Sequence, residues 1–295
     1  MKFKYISILI VFYFLTLTIV RCNNQSPTIW VNNDDTHLWL KMSTYIETQS
    51  NRDKILPHNL LTPTAPILSV TISKLLNLPI KNAYLFINLE SAFLSSILLF
   101  LIASYFFSVE IAFISSFLHL TSFQTQKLLV AIIPEQVIHF FILSTIYSSI
   151  RIIKSKHSIS SWSLIIKSII FSLGVLTKTS LVFLYPLFPL SIYIKNKRTW
   201  IKNTIIFSIP IFLILFPYYL FVWQQFQTLP WTMLTYGYSS PVEEIQRYGP
   251  LYKNNGRIII FFSTYLHAMP WFFFGLMNTK LKTFKEKYLW FIFFF

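Results

Sequence analysis

The chain alternates between long uninterrupted apolar blocks and shorter polar connections. The apolar blocks lie at residues 5–20, 83–107, 111–125, 135–150, 167–194, 203–223 and 257–275. Most are near the length at which a helix crosses about 30 Å of hydrocarbon. A helix also satisfies its own backbone hydrogen bonds, which lipid cannot do. The pattern predicts an all-α fold, a polytopic transmembrane helix bundle with about 8 to 9 membrane segments.

The block at residues 167–194 is the hardest to assign. Lys178, Pro186 and Pro189 interrupt it, and basic clusters flank both of its ends. If both ends face the same side, the block crosses the membrane an even number of times. Two short helices that turn near Thr177–Thr179 satisfy this requirement and place Lys178 near the outer surface.

The same pattern predicts the organisation of the whole chain. Residues 1–295 form a single integral membrane domain, in which residues 5–20 are the first transmembrane helix, an uncleaved signal anchor rather than a cleaved signal peptide. Residues 21–82 form a long outer loop with short interfacial helices, one of them around Ile67–Leu76. Residues 83–295 hold the further membrane helices. The last block, 288–295, is too short to span, so we expect the chain to be truncated at its C-terminus.

The composition is that of a membrane protein and not of a soluble domain. Of the residues, 54% are hydrophobic and only 12% are charged, whereas soluble domains carry about a quarter charged residues. Five glycines argue against a Gly-rich nucleotide-binding fold, and the single Cys22 excludes a disulfide framework or a Cys-based zinc site.

The charge balance, 25 basic against 10 acidic residues, would suggest nucleic acid in a soluble protein. Here the basic residues gather at the ends of apolar blocks without the interleaved aromatic residues that stack on bases. They indicate cytoplasmic loops, and no nucleic-acid partner is expected. These clusters comprise Lys2, Lys4, Arg151, Lys154, Lys156, Lys167, Lys195, Lys197, Arg198, Lys202, Lys280, Lys282, Lys285 and Lys287.

An acid pair, Asp34-Asp35, stands early in the outer loop. Two adjacent anions repel, so a metal ion, a cationic partner or a hydroxyl that needs deprotonation would justify them. The alternative is a solvated loop in which one Asp caps the following helix. The pair alone does not decide between the two.

Two further residues are candidates for chemistry. Glu135 follows Pro134 at the start of an apolar block, which is also ordinary chemistry for a helix start. Lys178 lies inside an apolar run, where ionisable residues usually face the bundle interior or a water-filled cavity. It could neutralise a phosphate as a point charge, or it could snorkel to the interface.

One function that a polytopic membrane protein can have is that of a transporter or flippase of lipid-linked or small substrates, and we keep it as the alternative to an enzyme. Such a protein places its polar residues near the midplane on broken helices and shows two similar halves. This chain shows no repeat, and most of its acids lie in the predicted outer loops.

Taken in order, these features resemble the GT-C membrane glycosyltransferases. They are a first helix, an acid pair, a Pro-rich stretch, a helix pair, a proline and acid that start the next helix, a basic loop and a Leu-Thr-Lys turn. The resemblance covers about Met1–Lys197 and is closest to the protein-mannosyltransferase and aminoarabinose-transferase branch. It implies transfer of a sugar from a polyprenyl-phosphate donor to a hydroxyl acceptor on lipid, glycan or protein at the outer or luminal face of the bilayer.

The resemblance also implies site residues. Asp34, Asp35 and Glu135 map onto the family's catalytic acids. The same three carboxylates are also the candidate ligands of a divalent metal cofactor. Lys178 maps onto the family's Leu-Thr-Lys turn as a donor-phosphate ligand. Where the family commonly has the motif His-Pro-Pro, this chain has Pro57-His58, and its next prolines are Pro63 and Pro66. Arg247, Lys253 and Arg257 are further predicted ligands of the donor phosphate. His37 and His58 are predicted to position the acceptor or the loop.

Overall fold

The structure is a computed structural model that describes residues 2–23, 34–48, 62–122, 125, 129, 133–155 and 158–226. In its first two helices it describes the side chains of residues 5–15 and 39–48. All these residues lie in the first, Met1–Thr228, of the two compact units into which the chain divides.

Every regular element in the described part of the chain is helical, which confirms the predicted all-α fold class. In chain order the elements are α1 (Lys2–Asn23), α2 (Asp34–Thr48), α3 (Thr64–Leu76), α4 (Ile80–Ala103), α5 (Val109–Thr121), α6 (Glu135–Lys154), α7 (Ser161–Thr177), a 3-10 helix (Thr179–Leu184), α8 (Leu187–Lys195) and α9 (Trp200–Phe226).

Among the residues that the structure describes, three helices are long and apolar enough to cross a membrane: α4, α6 and, in α9, the stretch Trp200–Gln224. The other apolar helices are shorter, and the count of eight to nine segments stays a prediction. The turn near Thr177–Thr179 is present between α7 and the 3-10 helix. The block boundary at Lys167 is wrong, because α7 begins at Ser161 and Lys167 lies inside it. Residues 161–166 mix polar and apolar side chains, and they extend the helix on the N-terminal side of Lys167.

The described part of the predicted outer loop contains two helices, α2 and α3. The short helix expected around Ile67–Leu76 is α3, and it ends at Asn77 in the left-handed conformation (φ 50°, ψ 47°). The Leu78 N–H donates to the Ser73 carbonyl at 3.0 Å, which closes this end. Helix α2 packs beside α3, where the buried hydroxyls of Ser43 and Ser69 are 3.0 Å apart.

Small side chains allow the central helices to approach closely. The Ser116 hydroxyl of α5 donates to the Ser96 carbonyl of α4. At the contact of α6 and α7, a Cβ built on Gly174 would lie 3.0 Å from Cβ of Phe141. Small residues serve this role in membrane bundles because lipid tails offer no hydrophobic drive for association, and packing must supply it.

Aromatic residues join α7, α8 and α9. The rings of Phe188 and Phe207 stack with centroids 4.1 Å apart, and Phe171 meets Phe188 edge-on at 5.6 Å. The hydroxyls of Tyr185 and Ser208 are 2.6 Å apart at the border of this group. Such pairs contribute about 0.5–1.5 kcal/mol beyond their buried area.

Helix α9 presents most of its surface outward. Apolar side chains spaced about one turn apart form an exposed stripe along it, and a stripe of this kind suits contact with lipid chains. The stripe consists of Ile201, Ile205, Ile209, Leu213, Phe216 and Leu220.

Candidate active site

The hairpin of α6 and α7 brings Glu135 and Lys178 to the same end of the bundle. The two helices run antiparallel across the short connection 155–160 and touch at Phe141 and Gly174. From this contact, the rise of about 1.5 Å per residue places Glu135 about 9 Å along α6 and Lys178 about 6 Å along the direction of α7. We call this end the Glu135 end and the opposite one the Arg151 end.

Lys178 occupies the break between α7 and the 3-10 helix. Its backbone is extended (φ −152°, ψ 116°), and its N–H donates to the Gly174 carbonyl at 3.0 Å. The side chain is exposed, and its charge acts on His139. His139 lies one turn after Glu135 on the same face of α6. The structure therefore brings Lys178 beside the helix face that carries Glu135.

Glu135 opens α6 directly after Pro134. The Ile138 N–H donates to the Pro134 carbonyl at 2.8 Å, so proline occupies the start where a missing N–H costs nothing. The Glu135 carboxylate interacts electrostatically with Tyr84, whose side chain is fully buried in the first turns of α4. The starts of α4 and α6 thus meet at the Glu135 end.

A histidine pair lies beside Glu135. The rings of His119, in the last turn of α5, and His139 have centroids 6.5 Å apart and planes inclined by 59°. Gln136, fully buried, donates from Nε2 to the Thr125 carbonyl at 3.4 Å. Together with Tyr84 of α4, which interacts with Glu135, these side chains bring polar groups from α4, α5 and α6 to the Glu135 end.

Several buried atoms in this region have no hydrogen-bond partner among the described residues. They are Tyr84 Oη, His119 Nε2, Gln136 Oε1 and His139 Nδ1. A buried polar group without a hydrogen-bond partner costs about 1–3 kcal/mol of stability. A cluster of such groups therefore calls for an explanation, and binding of a ligand is one. Their concentration identifies the Glu135 end as the candidate binding site.

The acid pair lies on α2, which begins at Asp34. The side chains of Asp34, Asp35 and His37 are not among the described ones. Four residues after Asp35, Trp39 packs against the hydrophobic cluster that includes Tyr84 and Val137. The roles of Asp34, Asp35 and His37 stay predictions.

The remaining predicted residues are not tested by the structure. His58, Arg247, Lys253 and Arg257 lie outside the described residues. Within the described part of the chain, no group of three or more His, Cys, Asp or Glu side chains could hold a metal ion. The predicted metal set requires the side chains of Asp34 and Asp35, so it also stays a prediction.

The sequence alone does not indicate a role in the site for His119, His139, Tyr84 or Gln136, and the spacing of the two histidines does not resemble a metal site. The spacing of Glu135 and His139 by one helical turn was a usable signal, since such residues share a helix face. The contacts with His119 and Tyr84 join helices distant in sequence, and no local pattern reports them.

Fold and site together define a helical membrane protein with a charged, polar site at one end of its bundle. The family model of dolichyl-phosphate-mannose-protein mannosyltransferases matches residues 63–223, more than half of the chain. The chain belongs to this family, which confirms the resemblance to GT-C glycosyltransferases: it is a membrane glycosyltransferase that uses a lipid-linked sugar donor. No curated protein and no solved structure matches the chain.

Proposed function

We propose that the protein transfers a sugar from a polyprenyl-phosphate donor to a hydroxyl of a lipid, glycan or protein acceptor, at the extracytoplasmic or luminal face. The observation that carries the proposal is the placement of Glu135 and Lys178 at one end of the α6–α7 hairpin. Mannose is the first sugar to test, because the family's description names it.

The charge distribution favours this face. Basic residues crowd the opposite end of the same helices, and the positive-inside rule assigns such an end to the cytoplasm. The Glu135 end then faces outward, and with it the predicted acid pair. At the Arg151 end lie Arg151, Lys154, Lys195, Lys197, Arg198 and Lys202.

The donor fits a site at a helix end. Its hydrocarbon tail stays in the bilayer, so its phosphate has to be bound near the depth of the headgroups. Lys178 lies where the apolar helix α7 ends, and its exposed ammonium is suited to a phosphate oxygen. Arg247, Lys253 and Arg257 are proposed as further ligands of the same phosphate.

The proposed reaction is a displacement at the anomeric carbon. The acceptor oxygen forms a bond to this carbon while the carbon–oxygen bond to the phosphate breaks, and the electron pair leaves with the phosphate. Asp34 or Asp35 accepts the hydroxyl proton. Lys178 stabilises the charge that develops on the departing phosphate, and the Glu135 carboxylate stabilises the oxocarbenium-like sugar. His37 and His58 position the acceptor or the loop.

The test is sugar transfer from polyprenyl-phosphate mannose by the full chain in membranes. We expect Glu135→Gln and Lys178→Met each to lower kcat by at least about 100-fold, because each removes a charge that stabilises the transition state. Asp34→Asn and Asp35→Asn, made separately, identify the base, since only the variant of the base should lose transfer.

Matched controls come from the Arg151 end. Glu110→Gln removes an exposed carboxylate and Lys154→Met an exposed ammonium, and both should leave transfer within about threefold of the wild type, since an exposed charge far from the site contributes little. Equal losses in the control variants, or full activity in Glu135→Gln and Lys178→Met, would refute this site.

A further inference from the structure

The Glu135 end contains a histidine pair that the proposed reaction does not use. His119 and His139 come from different helices, and each has a buried ring nitrogen without a hydrogen-bond partner among the described residues. A neutral imidazole carries its proton on one nitrogen or the other according to its tautomer, so either nitrogen can serve as the donor.

The charges around the pair select the ligand. Lys178 acts on His139 from α7, whereas Glu135 lies one turn back on α6. An anion is therefore favoured on the side of His139 that faces Lys178 and is repelled on the side that faces Glu135. Tyr84, which interacts with Glu135, offers a buried hydroxyl without a hydrogen-bond partner among the described residues, a further donor from α4.

We infer that His139, supported by His119, is a phosphate-binding residue of the donor site. This assignment rests on the proposed function, which supplies the lipid phosphate as the ligand. The His139 ring donates a hydrogen bond to a phosphate oxygen beside Lys178, and His119 packs behind the ring and holds its orientation. Glu135, one turn away, then lies toward the sugar.

The experiment measures binding of the purified full chain to phosphatidylcholine nanodiscs that contain undecaprenyl phosphate. Discs that contain undecaprenol, which lacks the phosphate, are the reference. We expect His139→Leu to lower the affinity for the phosphate lipid at least about tenfold, because it removes a hydrogen bond to a charged group. The affinity for undecaprenol should not change.

Conservative variants separate binding from structure. His139→Gln keeps an N–H donor and should retain most of the affinity, and His119→Gln should lower it only about threefold, because His119 acts through His139. Thr145→Val is the control on the same helix. Its hydroxyl donates to the Phe141 carbonyl at 2.9 Å, so its loss leaves the selectivity for phosphate unchanged.

Spectroscopy of the wild type covers the case in which His139→Leu does not fold. In protein labelled with ¹⁵N-histidine, the signal that disappears in His139→Gln should shift on addition of undecaprenyl phosphate and not of undecaprenol. An unmoved signal, or equal phosphate selectivity in wild type and His139→Leu, overturns the inference. If the wild type itself does not prefer the phosphate lipid, the proposed function fails instead.

Discussion

Tyr13 and Glu90 form a polar contact between two helices, although they lie 77 residues apart in the sequence. The Tyr13 hydroxyl of α1 donates a hydrogen bond to the Glu90 carboxylate of α4. Glu90 lies about 15 Å along α4 from its first residue, Ile80, at a rise of about 1.5 Å per residue. Ionisable residues at such depth are costly unless they are paired, and Tyr13 supplies a partner to Glu90.

At this scale we predict that Tyr13→Phe destabilises the protein by about 0.6 kcal/mol and at most about 1.7 kcal/mol, the range for hydrogen bonds between membrane helices. Glu90→Gln keeps an acceptor and should cost less. A double-mutant cycle with Tyr13→Phe and Glu90→Leu, measured by denaturation in detergent, should show coupling of the two changes. Strictly additive effects would show that the contact contributes nothing to stability.

The contact of α6 and α7 decides how closely Glu135 and Lys178 approach. It depends on Gly174, where an added methyl group meets Cβ of Phe141, an atom fixed to the backbone. The opposing atom belongs to the start of the Phe141 side chain and not to its flexible end. Phe141 and its helix must therefore give by a few tenths of an ångström. The position of the site residues thus follows from one absent side chain.

We therefore predict that Gly174→Ala lowers both stability and transfer. Overpacking costs about 1–3 kcal/mol, whereas alanine gains about 1 kcal/mol in helix propensity, so the net loss is on the order of 1 kcal/mol. Displacing a catalytic group by about 1 Å can cost about 100-fold in rate, so the smaller displacement expected here should still lower the rate of transfer several-fold. Thermal unfolding and the transfer assay measure the two effects.

The control for this change is Leu173→Ala on the same helix. The Leu173 side chain is exposed, so its loss should alter neither packing nor the separation of α6 and α7. The prediction is wrong if the free energy of unfolding of Gly174→Ala lies within about 0.5 kcal/mol of the wild-type value and the variant transfers sugar at the same rate. In that case the close approach of α6 and α7 does not set the site geometry.

At the scale of the whole molecule, the two ends of the bundle differ in chemistry. The Glu135 end joins a carboxylate, imidazoles and an exposed lysine, and the Arg151 end collects the basic clusters. Apolar stripes such as that of α9 face outward between them. This separation predicts one orientation in the membrane, with α2 and α3 outside.

Cysteine labelling tests the orientation. In a Cys22→Ser background, which removes the single native cysteine, an impermeant maleimide added to intact cells should label Thr48→Cys at the end of α2. It should reach Lys197→Cys only after the membrane is opened. Both side chains are exposed, so accessibility reports the side of the membrane. The reverse labelling pattern would refute the outward placement of the Glu135 end.

The sequence by itself determined the class of protein, the helical fold, the turn near Lys178 and the family, because hydropathy, charge and short motifs are local properties. It also identified Glu135 and Lys178 as candidates for the site, and it predicted the helix α3. The transfer free energy of a residue into lipid depends mainly on that residue and its neighbours in the chain, so these features are visible without a structure.

Only the tertiary structure decided which side chains meet. His119 and His139, Tyr84 and Glu135, Tyr13 and Glu90, and Gly174 and Phe141 are pairs from different helices. Their contacts depend on how whole helices pack, rotate and approach, and this is set by the summed fit of many side chains rather than by any one segment. The site is therefore a property of the bundle, whereas the membrane helices that build it are properties of the sequence.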